Sequence, residues 1–415
     1  MPKGWSWCRI TNVAITELGK TLDAKKNKGE SYDYLCALNV KWYTFDFTTL
    51  KQIRLEEKEK ERYLVRKGDL LICEGGDVGR SAIWESDNPI YYQNALHRVR
   101  FYQNINQYFF LHVLNYYKNI GLIDDVSGGV TIKHFTQNSM QKLLFPLPPL
   151  AEQEQIVSLI KTIFFQIEIL EQNKTELQDA IKQTKSKILD LAIHGKLVPQ
   201  DPNDEPSEQL LKRIATSDNR PYKKFEEEAP YELPSNWSWC YLGDVCSKIK
   251  RGKSPKYVDK STIIAFAQKC NQKDGPTSLE KALYIDETTL KKYPEEEKMQ
   301  FNDIVINSTG TGTLGRVGIF NCNIPDNITA VYPDSHVTTV RILHEINKLY
   351  CYYFIKTKQS YLETMGEGST NQKELKPDTI SSLCFPLPPY LEQKRIVSKI
   401  EELFSSLETI VFNLD

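Results

Sequence analysis

The sequence predicts an α+β protein built from two mixed α/β modules in tandem, each followed by a long helix. Two observations predict this architecture. Short signatures recur along the 415 residues at an offset of 232 to 240 positions, which indicates an internal duplication. After the second signature of each copy, apolar residues recur at alternating spacings of three and four, which is typical of coiled-coil helices.

The duplication is clearest at the ends of the two copies. The letters WSWC at 5–8 recur at 237–240, and FPLPP at 145–149 recurs at 385–389, followed in both copies by Glu-Gln. Weaker echoes lie between them: Gly68-Asp69 with Asn302-Asp303, Gly79-Arg80 with Gly315-Arg316, and Val99-Arg100 with Val340-Arg341. Because the junctions agree and the interiors differ, we interpret the chain as one scaffold that carries two different specificities.

The segments after the Pro-rich junctions are predicted to be coiled-coil helices. Neither segment contains an internal Pro or Gly; Pro149 and Pro389 suit helix entry, and Gly195 suits a helix stop. The first helix would cover about 43 residues, or roughly 65 Å at 1.5 Å per residue. A long amphipathic helix packed on its own module is the alternative, and the strict spacing favours the coiled coil. The predicted apolar seam comprises Ile156, Ile160, Ile163, Ile167, Leu170, Leu177, Ile181, Ile188 and Leu191 in the first helix, and Ile396, Ile400, Leu403, Leu407, Ile410 and Leu414 in the second.

These signals divide the chain into five segments: a first module at 1–149, a central helix at 150–195, a connector at 196–234, a second module at 235–389 and a C-terminal helix at 390–415. Within the modules we predict strands at 69–73 and 303–307 and helices at 108–117 and 349–355, at matching places of the repeat. The topology of the sheets does not follow from the sequence.

Composition narrows the functional classes. The net charge is −1, but the two modules carry +4 (1–150) and +2 (235–390), and the segments between and after them carry −5 and −2. Basic modules could face phosphate, and chance scatter around neutrality is the alternative. The sequence has no apolar run long enough for a membrane span and no signal-peptide core at its start. Its nine Cys show no C-x-x-C spacing, which predicts a reducing cytoplasm and no zinc site.

Motifs for catalysis are absent from the sequence. It contains no phosphate-binding G-x-x-x-x-G-K-[ST], no H-E-x-x-H, no G-x-S-x-G and no Asn/Asp-Pro-Pro-aromatic motif of amino-methyltransferases. The letters G-x-G-x-x-G occur at 310–315, but the residues that follow, 316–320, read as a strand and not as the helix that a nucleotide-binding loop requires. We therefore predict no catalytic residue, no metal site and no cofactor on this chain, although acidic nuclease residues follow spacing rules too weak to search for.

Candidate DNA-binding residues lie in both modules. In the second, a stretch without acidic residues carries five cations that suit phosphate contacts, with a solvated loop as the alternative. In the first, a cluster after Pro89 has side chains that can pair with adenine or guanine, although alternation along a strand allows only some of them to face DNA. Arg80 and Arg316 follow Gly-rich loops and could instead be structural, and Ser335 and His336 could instead stabilise a turn. The candidates in the two clusters are Lys248, Lys250, Arg251, Lys253 and Lys256, and Gln93, Asn94, His97 and Arg98.

These signatures resemble one known family, the specificity subunits of type I restriction–modification enzymes. FPLPPLAEQ at 145–153 and its copy at 385–393 are similar to the family's helix-entry signature. LAIHGKLVPQDP at 191–202 is similar to its motif after the central helix, and LPSNW at 233–237 to its entry into a recognition domain. GDLL at 68–71 and DSHV at 334–337 are softer matches, and the resemblance spans nearly the whole chain.

The resemblance implies a function. Each module would be a target-recognition domain for one half of a split site in double-stranded DNA, and the helices would pair as an antiparallel coiled coil that sets the gap. Two methyltransferase subunits and a restriction subunit with motor activity would be the partners, and they would hold S-adenosylmethionine, ATP and Mg²⁺. The chain departs from the family in one respect. Its second helix ends at Asp415 after about 25 residues, so part of the first helix is expected to lack its usual partner.

Overall fold

The computed structural model describes residues 1–412 except 24, 26, 130–132, 218, 220, 274–275, 293, 311 and 369–372. The predicted seam residue Leu414 lies outside the described residues. The chain forms two compact units, Met1–Gln172 and Asn173–Asp415, and each is described by itself.

The first unit contains twelve strands in its described part and begins the central helix. The strands are β1 Ser6–Arg9, β2 Ala14–Leu18, β3 Glu30–Leu35, β4 Val40–Lys41, β5 Thr44–Phe45, β6 Lys51–Leu55, β7 Leu64–Val65, β8 Leu70–Cys73, β9 Ser81–Ile83, β10 Ile90–Tyr92, β11 Leu96–Phe101 and β12 Leu144–Leu147. The helices are α1 Ile10–Val13, α2 Glu57–Lys60, α3 Gln107–Asn119, α4 Leu122–Val126, α5 Gln137–Lys142 and α6 Leu150–Ile193, which continues into the second unit.

The second unit repeats this plan after a short helix, α7 Ser207–Ser217. Its strands are β13 Ser238–Tyr241, β14 Cys246–Arg251, β15 Tyr257–Val258, β16 Ile263–Phe266, β17 Leu283–Ile285, β18 Asp303–Asn307, β19 Val317–Phe320, β20 Ala330–Pro333, β21 Val337–Ile342 and β22 Cys384–Leu387. The α-helices that follow are α8 Lys348–Thr357, α9 Gln359–Thr364, α10 Pro377–Ser381 and α11 Tyr390–Phe412, and short 3-10 turns lie at Leu242–Val245, Gln268–Cys270, Glu287–Lys292 and Glu295–Glu297.

One sheet matches strand for strand between the two units, and a second sheet matches only in part, since its parallel pair is central in the first unit and at the edge in the second. One four-stranded sheet has the order β2-β11-β8-β9 in the first unit and β14-β21-β18-β19 in the second. A second sheet is β6-β3-β10-β7 in the first unit and β15-β17-β16-β20 in the second, and each contains one parallel pair. β1 pairs with β12, and β13 pairs with β22 in the same register, with Cys8 opposite Phe145 and Cys240 opposite Phe385. The WSWC and FPLPP signatures therefore recur because they close each module at its two ends.

Local sequence explains the matching elements. β8 and β18 are apolar runs buried on both faces, so they form central strands of their sheets. α3 and α8 each begin at an asparagine whose side chain accepts hydrogen bonds from two backbone N–H groups, Asn106 from those of residues 108 and 109, and Asn347 from those of residues 349 and 350. The predicted strands and helices at these four places are confirmed.

The two long helices begin where the junction signatures end. A glutamine in the first turn of each helix binds the preceding proline segment: Gln153 donates to the carbonyl of Pro148 at 2.9 Å, and Gln393 donates to that of Pro388 at 2.9 Å. The predicted central helix is confirmed, since α6 covers 44 residues from Leu150. The described part of the second helix covers 23 residues.

Candidate DNA interface

Each module carries the same Asp–Arg ion pair. Its members belong to the repeated letters at 68–69 and 99–100 of the first module. Arg100 donates to both carboxylate oxygens of Asp69 at 2.8 and 2.6 Å, and Arg341 donates to those of Asp303 at 2.9 and 2.8 Å. Both carboxylates are almost fully buried, so these fork-shaped pairs join two strands of the central sheet. The repeated arginines are therefore structural.

Arg80 and Arg316 also occupy matching structural positions. Arg80 donates to the carbonyl of Ala37 at 2.7 Å, and Arg316 donates to those of Asn271 at 3.0 Å and Gly312 at 3.2 Å. Each arginine thus ties its Gly-rich loop to a neighbouring loop. The structural alternative stated for these two residues fits their contacts, and a role for them in binding DNA stays a prediction.

Gln93 and Asn94 lie in the turn between β10 and β11 and are half-buried. The backbone of Gln93 forms an isolated parallel bridge with Lys20, and the N–H of Asn94 donates to the carbonyl of Lys20 at 3.0 Å. The second module has the same bridge between Lys253 and Asp334. The backbone at this turn is therefore held in place, which leaves the side chains of Gln93 and Asn94 as candidates for base contacts.

His97 and Arg98 do not fit the predicted role of DNA contacts. The His97 ring is completely buried, its Nε2 lies 2.9 Å from the carbonyl of Phe135, and burial lowers its pKa. Arg98 is 4% exposed and pairs with Glu17 and the carbonyl of Leu64. The prediction is wrong for both residues because the four consecutive β11 residues 96–99 are buried, so both faces of the strand are covered there and neither side chain reaches the surface.

The five cations of the second module lie mainly on a strand and not on the predicted loop. Lys248, Lys250 and Arg251 belong to β14, which pairs with β21, and only Lys253 and Lys256 lie beyond its end. The prediction of a loop is therefore wrong for three of the five. An edge strand nevertheless presents alternate side chains to solvent, which suits contacts to a DNA backbone.

These cations also have counter-charges, which come from distant parts of the sequence. Lys250 and Lys253 share the buried Glu297 at 2.6 and 3.2 Å, and Lys256 pairs with Asp286 at 2.8 Å. Burial would raise the pKa of Glu297, but the hydrogen bonds from the two lysines lower it below its ordinary value. Although residues 246–258 contain no acidic residue, carboxylates from elsewhere in the chain therefore partly neutralise the positive charge of the cluster.

Exposure divides the five cations further. The side chains of Lys250, Lys253 and Lys256 are 55%, 43% and 71% exposed. Arg251 is 25% exposed, pairs with Glu374, and is partly covered. Burial lowers the pKa of Lys248. Hence three lysines, which we call the lysine patch (Lys250, Lys253 and Lys256), remain the best candidates for phosphate contacts.

Ser335 and His336 form the matching turn of the second module. The His336 ring is exposed, and its Nδ1 lies 2.6 Å from the Thr309 hydroxyl. The Ser335 hydroxyl lies 2.9 Å from that of Ser254, and Asp334 accepts from the N–H of His336 at 2.8 Å. Both predicted readings are compatible with this geometry, since Asp334 stabilises the turn while His336 faces solvent.

Comparison with known proteins decides the family. The model of the type I restriction modification DNA specificity domain matches residues 2–179 and again residues 234–411. The chain belongs to this family. The two matches follow the duplication, one for each module with its helix, so the family resemblance predicted from the sequence is confirmed.

Two curated specificity subunits and one solved structure are similar to this chain over most of its length. The type I restriction enzyme EcoBI specificity subunit of Escherichia coli is 25% identical over 84% of this chain and 69% of its own length. The EcoAI specificity subunit of Escherichia coli is 25% identical over 99% of this chain and 79% of its own length. The HsdS subunit of Thermoanaerobacter tengcongensis has the same fold, with a TM-score of 0.60 and 18% identity over 100% of this chain and 91% of that one.

In the second unit, the C-terminal part of α6 lies beside α11. The Lys185 ammonium lies 3.0 Å from Glu408 and 5.1 Å from the centre of the Phe404 ring, whereas Gln200, after the end of α6, bonds to Glu392 in the first turn of α11. These contacts join α6 to the far part of α11, and the residues after α6 to its beginning, so the two helices run in opposite directions in this unit; their pairing as a coiled coil stays a prediction. Of the predicted seam residues, Ile188, Ile396 and Ile400 are buried in one apolar cluster of this unit, and Leu403 and Leu407 are partly buried against it. Ile181 is buried as well.

Apolar side chains in the middle of α6 are exposed to solvent. Ile163, Ile167 and Leu170 are 44%, 44% and 66% exposed, and Leu177 is 36% exposed. Ile410 of α11 is also 44% exposed. The exposure of Ile163, Ile167 and Leu170 fits the expectation that part of the first helix lacks its usual partner. Leu159 and Phe165 nearby are both 62% exposed, so α6 carries apolar side chains on more than one face here.

Among the described residues, no cluster of His, Cys, Asp and Glu could hold a metal ion, and no helix is long and apolar enough to cross a membrane. The loop with the letters G-x-G-x-x-G leads into the strand Val317–Phe320, as predicted. A nucleotide phosphate would need a helix N-terminus at that place, so the nucleotide-binding reading does not fit this loop.

Proposed function

We propose that this chain is the DNA-specificity subunit of a type I restriction–modification complex, in which each module reads one half of a bipartite site in double-stranded DNA. The observation that carries the proposal is the pair of modules with the same end strands, the same order in one central sheet and the same Asp–Arg pair, but different surface residues. A duplicated scaffold with two different surfaces suits the reading of two different half-sites.

The chain would bind DNA without chemistry of its own. In this proposal, phosphate contacts come from the lysine patch of the second module, which positions the duplex without reading its sequence. Base contacts come from polar groups at the equivalent turns, the half-buried Asn94 in the first module and the exposed His336 in the second. Catalysis and its cofactors, S-adenosylmethionine, ATP and Mg²⁺, would belong to partner subunits.

The uncovered stretch of α6 supports a role in assembly. Between Leu159 and Leu170, apolar side chains occupy several faces of the helix, and a helix of this kind is ordinarily buried against other helices. We propose that helices of two methyltransferase subunits cover this stretch and that a restriction subunit joins the complex for cleavage, all of them in the cytoplasm.

Genome-wide mapping of methylated adenine tests the proposal. The chain is co-expressed with the methyltransferase subunit from its own operon, and the control cells carry the methyltransferase alone. We expect a bipartite methylated motif with one fixed gap that appears only when the chain is present. A soluble complex that produces no new motif would favour a scaffold without a role in DNA recognition. Binding of S-adenosylmethionine by the isolated chain would favour a self-contained methyltransferase.

A further inference from the structure

A single buried carboxylate joins three segments at the start of α11. Glu392 is 1% exposed, and it accepts hydrogen bonds from the Trp237 indole N–H at 3.0 Å and from the Gln200 side-chain amide at 2.7 Å. Trp237 precedes β13, and Gln200 belongs to the connector that follows α6. The carboxylate therefore ties the end of α6 to the second module and to α11. We call these three residues the Glu392 cluster.

Further contacts hold the same connector along its length. Arg395, one turn along α11, pairs with the buried Asp204 at 2.5 Å. The Ser207 N–H and hydroxyl both donate to the carbonyl of Asn236 at 3.0 Å. The Tyr231 hydroxyl donates to the last carbonyl of α6, that of Ile193, at 2.8 Å. The end of α6 is thus attached to the second module by buried polar contacts in addition to apolar packing.

The first module shows that the fold does not require this arrangement. Trp5 and Glu152 occupy the positions of Trp237 and Glu392 in the duplication, yet the buried indole N–H of Trp5 has no hydrogen-bond partner. Gln155 stands at the position of Arg395. Because the first module closes with the same strand pair without these bonds, the Glu392 cluster has a role beyond closing its module.

The length of α6 makes its direction matter. The helix covers 44 residues and begins three positions after the last strand of the first module. At 1.5 Å per residue it is about 66 Å long. A tilt of about 3° at one end of such a helix displaces the other end by about 3.4 Å, which is the rise of one base pair. A change of a few degrees in the direction of α6 is therefore enough to move its far end by the length of one base pair.

We propose that Glu392, with Trp237 and Gln200, is a positioning residue that fixes the direction in which α6 leaves the second module and so sets the number of base pairs between the two half-sites. This inference rests on the proposed function. Its distinctive consequence is that loss of Glu392 changes the gap and not the sequence of either half-site, since no residue of the cluster needs to touch DNA.

The test uses the complex of the full chain with its methyltransferase subunit. Glu392→Ala is compared with wild type, with Glu392→Gln, and with Glu152→Ala at the matching position of the first module. Two quantities are measured: the methylated motifs in the genome, and the affinity for duplexes whose gap is correct or one base pair longer or shorter. We expect Glu392→Ala to keep both half-site sequences, to methylate sites with neighbouring gaps, and to lose at least tenfold of its preference for the correct gap.

The other variants separate positioning from general damage. A glutamine at 392 has one acceptor oxygen, so it can keep the bond from Trp237 but not the bond from the Gln200 amide, whose flip would cost its 3.1 Å bond to the carbonyl of Gly195. Glu392→Gln should therefore show a preference for the correct gap between those of wild type and Glu392→Ala. Glu152→Ala should behave as wild type. If Glu392→Ala does not assemble, Trp237→Phe removes one bond and keeps the ring, and Trp5→Phe is its matched control because that indole has no partner to lose.

Two results would overturn the inference. One is a single unchanged gap in Glu392→Ala, or in Trp237→Phe if the first variant does not assemble. The other is a loss of half-site sequence preference at an unchanged gap, which would make the cluster part of a reading surface. Either result leaves the proposed function standing, whereas a wild-type complex without any bipartite motif would overturn both.

Discussion

The lysine patch makes a quantitative prediction about the salt dependence of DNA binding. Replacing Lys250, Lys253 and Lys256 by Gln removes three exposed positive charges and keeps a hydrogen-bond donor for their carboxylate partners Glu297 and Asp286. Each phosphate contact contributes about 0.9 to the slope of log affinity against log salt concentration, because counterions are released from DNA on binding. If all three lysines contact phosphate, the slope should therefore fall by about 2.7.

This change of slope has a measurable size. Between 50 and 200 mM salt, a slope difference of about 2.7 corresponds to roughly a 40-fold change in the ratio of wild-type to variant affinity. Fluorescence anisotropy with the assembled complex and a labelled duplex measures this ratio at each salt concentration. Sequence preference should stay as in wild type, since phosphate contacts carry no base information.

A matched control removes the same charge elsewhere. Lys187, Lys212 and Lys399 are also exposed, ion-paired within their own helices, and distant in sequence from the patch. Their triple replacement by Gln should leave the slope within about 0.5 of wild type. Parallel salt dependences for wild type and the patch variant, with an unchanged melting temperature, would refute the assignment of the patch to phosphate.

Three further predictions concern stability and assembly. Gly19→Ala should destabilise the first unit by about 3 kcal/mol, because its added Cβ would lie 2.3 Å from the backbone oxygen of Gln93. Gly128→Ala, with nothing within 4 Å of its added Cβ, should change the free energy of unfolding in urea titrations by less than about 0.5 kcal/mol. Burial lowers the pKa of His97, so the unfolded chain takes up the proton first as pH falls below the ordinary value of 6.5. Stability should then drop by up to about 1.4 kcal/mol per pH unit below that value, and urea titrations of His97→Gln between pH 5 and 7 should show a flatter dependence than wild type. The double variant Phe165→Asp with Leu170→Asp should no longer co-purify with the methyltransferase subunit. Its melting temperature should stay within about 2 °C of wild type, since both side chains are exposed in the isolated chain. Retained co-purification would place the docking surface elsewhere.

The sequence was a good guide to the parts of the fold that depend on local patterns. The buried strands β8 and β18, the helices α3 and α8, and the full length of α6 follow from apolar runs, helix capping residues and spacing along the chain. The duplication was also visible, because the end signatures close each module and so tolerate little change.

The candidate site was predicted less well, and the reason is physical. Whether a cation is free depends on carboxylates that the fold brings close, as with Glu297, which lies 47 positions from Lys250 and 44 from Lys253 in the sequence. Whether His97 reaches DNA depends on which faces of β11 the rest of the fold covers, and that packing is set by contacts between residues far apart in the sequence. Neither property has a local signature.

The sequence by itself determined that this protein is a duplicated scaffold with two long helices, and it identified the specificity family through its junction signatures. Only the tertiary structure decided which cations are exposed, which stretch of α6 lacks a cover, and that Glu392 joins the end of α6 to Trp237. The physical reason is that burial and hydrogen-bond partners arise from residues far apart along the chain, whereas secondary structure and repeats are encoded by neighbours.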